Sequence, residues 1–113
     1  MTTIAERKDL LERSLERSVA VLIKEYKPQR IILFGSLATG EVSETSDLDL
    51  LIIKETLLPF YERLREVALL CPLVVGADLL VYTPDEVELA SRENRFFREE
   101  ILGKSREVYR APT

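Results

Sequence analysis

From Thr3 to Lys27 the apolar residues Leu11, Leu15, Val19, Leu22, Ile23 and Tyr26 recur mostly at intervals of three and four, the spacing of one helix face. Glu12, Arg13, Glu16 and Arg17 fall on the other face, as a solvated surface with i,i+4 support. Pro28 stops this helix. Arg30-Ile31-Ile32-Leu33-Phe34 is then a short apolar run ending at Gly35, which predicts a buried strand. Ser36 to Gly40 has room only for a turn or a single helical turn, and Glu41 to Ser46 is polar and loop-like. Leu48 to Ile53 predicts a second strand, interrupted on one face by Asp49. Helical spacing returns from Leu57 to Cys71, through Phe60, Leu64, Val67 and Ala68. Leu73 to Tyr82 predicts a third strand with Asp78 in its middle. Thr83-Pro84-Asp85-Glu86 has the make-up of a helix start: threonine cap, proline in the first turn, acids behind it. Helical segments run on to Leu102 with a break near Asn94 and a stop at Gly103, and Glu107-Val108-Tyr109 predicts a short terminal strand. Helices alternating with strands predict an α/β fold, a small mixed β-sheet with flanking helices. The pattern does not set the strand order.

Composition narrows the chemistry. At 113 residues, 46% apolar and 32% charged, the chain predicts one compact domain over residues 1–113. We divide it into an N-terminal helix 3–27, a core 30–82 and C-terminal helices 84–109. A net charge of −4 argues against a nucleic-acid or anionic-membrane binder. There is no histidine, which excludes a Ser-His-Asp triad, a Cys-His pair and histidine-ligated metals. The single cysteine, Cys71, permits no internal disulfide and fits a reducing compartment. No apolar run is long enough to span a bilayer, and Met1 to Arg7 lacks a signal-peptide core, so a cytoplasmic location is expected.

What remains is chemistry by carboxylates, hydroxyls, amides, lysine and arginine. Asp47 and Asp49, two apart, project from one face of a strand, and Asp78 interrupts another apolar run. Asp47 alone reads as a loop residue or helix cap. A lone buried carboxylate costs several kcal/mol unless paired or bound to metal. Three carboxylates converging from neighbouring strands repel one another, and a divalent cation removes that objection. Hard oxygen ligands select Mg²⁺ or Mn²⁺. Phe34-Gly35-Ser36-Leu37-Ala38-Thr39-Gly40 is a strand that ends in glycine and enters a helical turn, a phosphate cradle in outline. A Gly-Ser pair alone marks only a turn, and neither Walker A nor dinucleotide spacing is present.

Gly35-Ser36, ten intervening residues, Asp47-Leu48-Asp49 and a later Asp78 together resemble the polymerase-β-like nucleotidyltransferase superfamily. More narrowly, the chain looks like the minimal nucleotidyltransferases, from Arg30 to Tyr109. The resemblance implies that fold, with Gly35 and Ser36 holding the β- and γ-phosphates of a nucleoside triphosphate such as ATP. It implies two Mg²⁺ ions on Asp47 and Asp49, with Asp78 joining the second metal and helping to deprotonate the attacking hydroxyl. Leu37 and Thr39 depart from the family, whose members often carry arginines there. Lys54, at the end of the second strand, reads as a solvated lysine rather than their substitute. The family also implies a partner, a HEPN-domain toxin in a hetero-oligomer, which the chain counters as antitoxin by AMP transfer or by binding alone. Transfer to a small molecule or to RNA stands behind both, because little chain remains to build such a pocket.

Overall fold

The computed structural model describes residues 3–72 and 74–112. Leu73, the expected start of the third strand, lies outside them, as do the ends of the expected 1–113 domain. Helix α1 spans Ile4–Val21 and opens with a capping box: Thr3 accepts from the Glu6 backbone N–H while the Glu6 carboxylate accepts from that of Thr3. A π-helical turn, Leu22–Tyr26, continues it to Lys27, whose left-handed backbone (φ 55°) ends the helix ahead of Pro28. Strand β1 is Arg30–Phe34, the short helix α2 is Ser36–Thr39 and β2 is Leu48–Ile53. Helix α3 covers Phe60–Leu70, β3 Ala77–Tyr82 and α4 Pro84–Glu93. A second π-helical turn, Phe97–Leu102, leads to β4, Arg106–Arg110.

The sheet order is β3-β2-β1-β4, with β2 parallel to β3 and β1 antiparallel to both β2 and β4. The mixed sheet with flanking helices is the expected architecture. One face carries Ile31, Leu33, Leu48, Leu50, Ile52 and Val81 against α1, its π-helical turn and α3. The other carries Ile32, Leu51 and Ile53 against Val87, Phe97 and Ile101. Full burial of each such side chain is worth about 1.5–3 kcal/mol, so the central strands β1 and β2 anchor the fold. No helix among the described residues is long and apolar enough to cross a membrane.

Several expectations need correction. Helix α3 begins at Phe60, not Leu57, because Pro59 stands extended at its N-cap and Leu57 is fully exposed. Strand β3 begins at Ala77; Val74 lies in a bend and is exposed, and β2 pairing starts where Leu48 donates to the Gly76 carbonyl. The division of 84–109 as C-terminal helices is too coarse, whereas the short strand expected at Glu107–Tyr109 is present: it is β4, Arg106–Arg110, and by pairing with β1 it extends the sheet beyond residue 82.

The buried Arg63 locks three elements together. Its guanidinium donates to the Leu58 and Val81 carbonyls and to the Glu86 carboxylate, which also caps α4. Arg63 and the Thr83 cap hold the Glu86 carboxyl below its usual range against the opposing effect of burial. Arg63→Ala leaves two carbonyls and a partly exposed carboxylate without their donor. We expect a loss of about 2 kcal/mol in chemical denaturation, and an unchanged midpoint would show that water replaces the guanidinium without cost.

Candidate active site

Asp49 is on the central strand β2, directly across from Asp78 on β3 and from Phe34 on β1. Both acids belong to the sheet face that α4 and the second π-helical turn cover, at the end those elements leave open. Asp49 is half-buried, whereas Asp78 is exposed. The apolar run around Asp78 is thus an edge strand that buries Val81 but leaves Asp78 exposed, and the burial cost expected for all three acids falls on Asp49. Its carboxyl is pushed up to about 7, first by burial, then by a hydrogen bond with the Asp78 carboxyl and by the negative charges of Asp78 and Asp47. A carboxyl that keeps its proton near neutrality marks a site short of positive charge.

Gly35 presses against this pair. Its backbone (φ 74°, ψ −159°) lies in a region open to glycine alone, and a Cβ there would stand 2.0 Å from Asp49 Oδ2. Gly76 does the same for Asp47, where a Cβ would meet Oδ1 at 2.5 Å. Asp47 itself precedes β2 by one residue and is exposed. It faces Arg7 of α1, whose Nη2 lies 3.7 Å from Asp47 Oδ1 and whose Nε donates to the Ser46 carbonyl at 2.8 Å.

On the far side of Gly35 opens a cleft of about 260 Å³, lined by Gly35, Ser36, Thr39, Glu41, Glu100 and Lys104. Ser36 therefore faces the same space as Gly35. Leu37 is buried in the core and Thr39 lines the cleft. Lys54 lies elsewhere: its ammonium donates to the Tyr26 carbonyl and stands over the Tyr26 ring, at the other end of β2. It is partly buried there rather than freely solvated.

Asp49, Asp78 and Gly35 are thus brought together, with Ser36 one residue on, while Asp47 stands beside the pair and is turned to Arg7. Among the described residues no three acidic side chains stand close enough to share one ion as they are disposed. The Asp49–Asp78 pair does fit a hard divalent cation, since its oxygens are of the right type and a cation would offset both the burial and the like charge that together retain the proton. Sequence reasoning missed Arg7 and Lys104. Each is an ordinary surface cation on a helix or turn until the fold carries it to the site.

The family model described as polymerase beta nucleotidyltransferase matches residues 16–112. The chain is 31% identical over 101 residues to a Methanocaldococcus jannaschii protein provisionally named a protein adenylyltransferase, covering 89% of this chain and 93% of that one. Other curated relatives are matched over only part of their length, from 5% to 56%. Among solved structures, a provisionally assigned nucleotidyltransferase from Sulfolobus solfataricus superposes with a TM-score of 0.61 at 17% identity, covering 90% of this chain and 85% of that one. A chain of a toxin–antitoxin complex with AMP-PNP gives 0.56 at 20% identity, covering 85% and 73%. At these identities the likeness is one of fold.

Proposed function

Because this chain belongs to the polymerase beta nucleotidyltransferase family, we propose that it moves AMP, or another nucleoside monophosphate, from a nucleoside triphosphate to a hydroxyl of a partner protein. The observation that carries this reading is the Asp49–Asp78 pair set against Gly35, with a polar cleft opening just beyond. The α-phosphate sits at the acids, and the β- and γ-phosphates follow Gly35 and Ser36 into the cleft. Asp47, Asp49 and Asp78 would hold Mg²⁺, two ions in this proposal, which when bound neutralises the phosphates and polarises the α-phosphorus. Asp78, exposed on the edge strand, accepts the proton of the attacking hydroxyl. The new bond joins that oxygen to the α-phosphorus, and the bond to the β-phosphate oxygen breaks, releasing pyrophosphate.

A toxin as the acceptor is supported by likeness to chains from toxin–antitoxin complexes, one of them holding AMP-PNP. A HEPN-domain toxin is the partner the family resemblance points to, with the two proteins meeting in the cytoplasm. The test is intact-mass spectrometry of the partner after incubation with this protein, ATP and Mg²⁺. We expect a gain of one AMP or a multiple of it, surviving removal of the enzyme and absent with Asp78→Asn. An unmodified partner, held in a complex that forms without ATP, would instead make the chain an antitoxin that acts by binding alone.

A further inference from the structure

We propose that Lys104 binds the terminal phosphates of the nucleoside triphosphate, and that Glu100 holds this lysine in the cleft until the nucleotide displaces it. The inference rests on the proposed function and adds the group that answers the triphosphate's charge.

Lys104 is the one cationic side chain lining the cleft among the described residues. Gly35 separates the acids from this space, so a triphosphate with its α-phosphate at Asp49 extends past Gly35 toward Lys104. The Gly-Ser loop offers no cation of its own: Leu37 is buried in the core and Thr39 is neutral. Lys104 arrives from the turn after the second π-helical turn. Gly103 makes that turn, because a Cβ there would stand 2.6 Å from the Glu99 carbonyl oxygen.

In the free protein the Lys104 ammonium donates to both Glu100 carboxylate oxygens, at 3.0 and 3.3 Å. This pairing raises the lysine's pKa and keeps it charged. Glu41 and Glu100 outnumber it in the cleft, so an anion gains little there unless Lys104 turns to it. Exposed ion pairs of this kind exchange readily, and the flexible lysine stem reaches a new acceptor without backbone movement. Glu100 thus keeps the cation in place and competes with the phosphates for it.

Calorimetry with the α,β-methylene analogue of ATP and Mg²⁺, and with AMP alone, reads both roles. Both residues are exposed, so their variants keep the fold. Lys104→Ala is expected to weaken the triphosphate by about tenfold, the scale of a charged hydrogen bond lost at a solvated site, and to leave AMP unchanged. Lys104→Arg should stay within about threefold of wild type. Glu100→Gln should tighten triphosphate binding in the wild-type background and not in Lys104→Ala. Unchanged triphosphate affinity in Lys104→Ala, with Ser36→Ala weakened, would overturn the lysine's role and leave the cleft as the phosphate site. Equal tightening by Glu100→Gln in both backgrounds would reduce Glu100 to direct repulsion and overturn its holding role. If neither Ser36→Ala nor Lys104→Ala affects binding, the phosphate assignment of the proposed function falls, and this inference with it.

Discussion

Asp49→Asn is expected to abolish nucleotidyl transfer while making the metal-free protein more stable at pH 8. The loss of rate is about a thousandfold or more, roughly 4 kcal/mol of transition-state stabilisation, because the central acid of the cluster is gone. The gain in stability follows from the Asp49 carboxyl's rise from 3.8 to about 7 on folding. Between roughly pH 4 and 7 the folded protein holds a proton that the unfolded chain has released. Its stability therefore falls as pH rises through that window and stays low above it. Asparagine removes the charge and keeps the shape. Since Asp49 is about half exposed, solvent screening reduces the effect to about 2 kcal/mol, or roughly 5–10 °C in melting temperature. Wild type should gain stability on acidification from pH 8 to 6, and the variant should gain much less. Mg²⁺ should raise the wild-type midpoint more at pH 8 than at pH 6, because protons compete for the same oxygens. A variant that melts lower than wild type at every pH would make Asp49 a structural residue and remove it from the site.

The second large effect belongs to Gly35→Ala. The backbone at Gly35 costs an L-residue about 1–3 kcal/mol, and the new Cβ would stand 2.0 Å from Asp49 Oδ2, so the carboxylate must swing away. We expect a stability loss of about 2–3 kcal/mol in urea and triphosphate binding weakened beyond detection, since the swing disrupts the acid pair. Gly40→Ala is the matched control. Its φ is also positive, at +86°, but nothing lies within 4 Å of a Cβ there, so it should cost about 1 kcal/mol and leave nucleotide binding intact. Placing Gly35→Ala in an Asp49→Ala background separates clash from strain: the cost should shrink when the carboxylate is absent. An undiminished cost would assign the whole effect to the backbone and leave Asp49 uncoupled from the loop.

The central strands β1 and β2 were legible in the sequence to the residue, because each is a dense apolar run, broken in β2 by Asp49 alone, that stops at glycine or charged positions. Strand β3 was not, since Leu73-Val74-Val75 reads as strand from its side chains alone and only the pairing of Leu48 with Gly76 shows where the ladder starts. The same run made Asp78 look buried, which hydrophobicity alone cannot distinguish from an edge position. Asp49 was legible because an ionisable group in the middle of a five-leucine-and-isoleucine strand has no packing reason to be there. Lys104 and Arg7 were not, because each is one solvent-compatible cation among 16 basic residues. Local spacing carries no information about which of them the sheet order brings beside Asp47 or Gly35.

That sheet order also governs when the site can exist during folding. Strands β1 and β2 are near neighbours in the chain, whereas β1 meets β4 across a separation of 77 residues at the Arg30–Glu107 contact. Closing so long a loop adds little to the equilibrium cost, which grows only with the logarithm of length, but it delays the contact relative to local pairings. The acid pair needs only β2 and β3, while the cleft needs the π-helical turn and Gly103 that lie between α4 and β4. An intermediate holding the first three strands would carry the concentrated negative charge without the lysine. The proposed nucleotide site is therefore complete only in the finished topology.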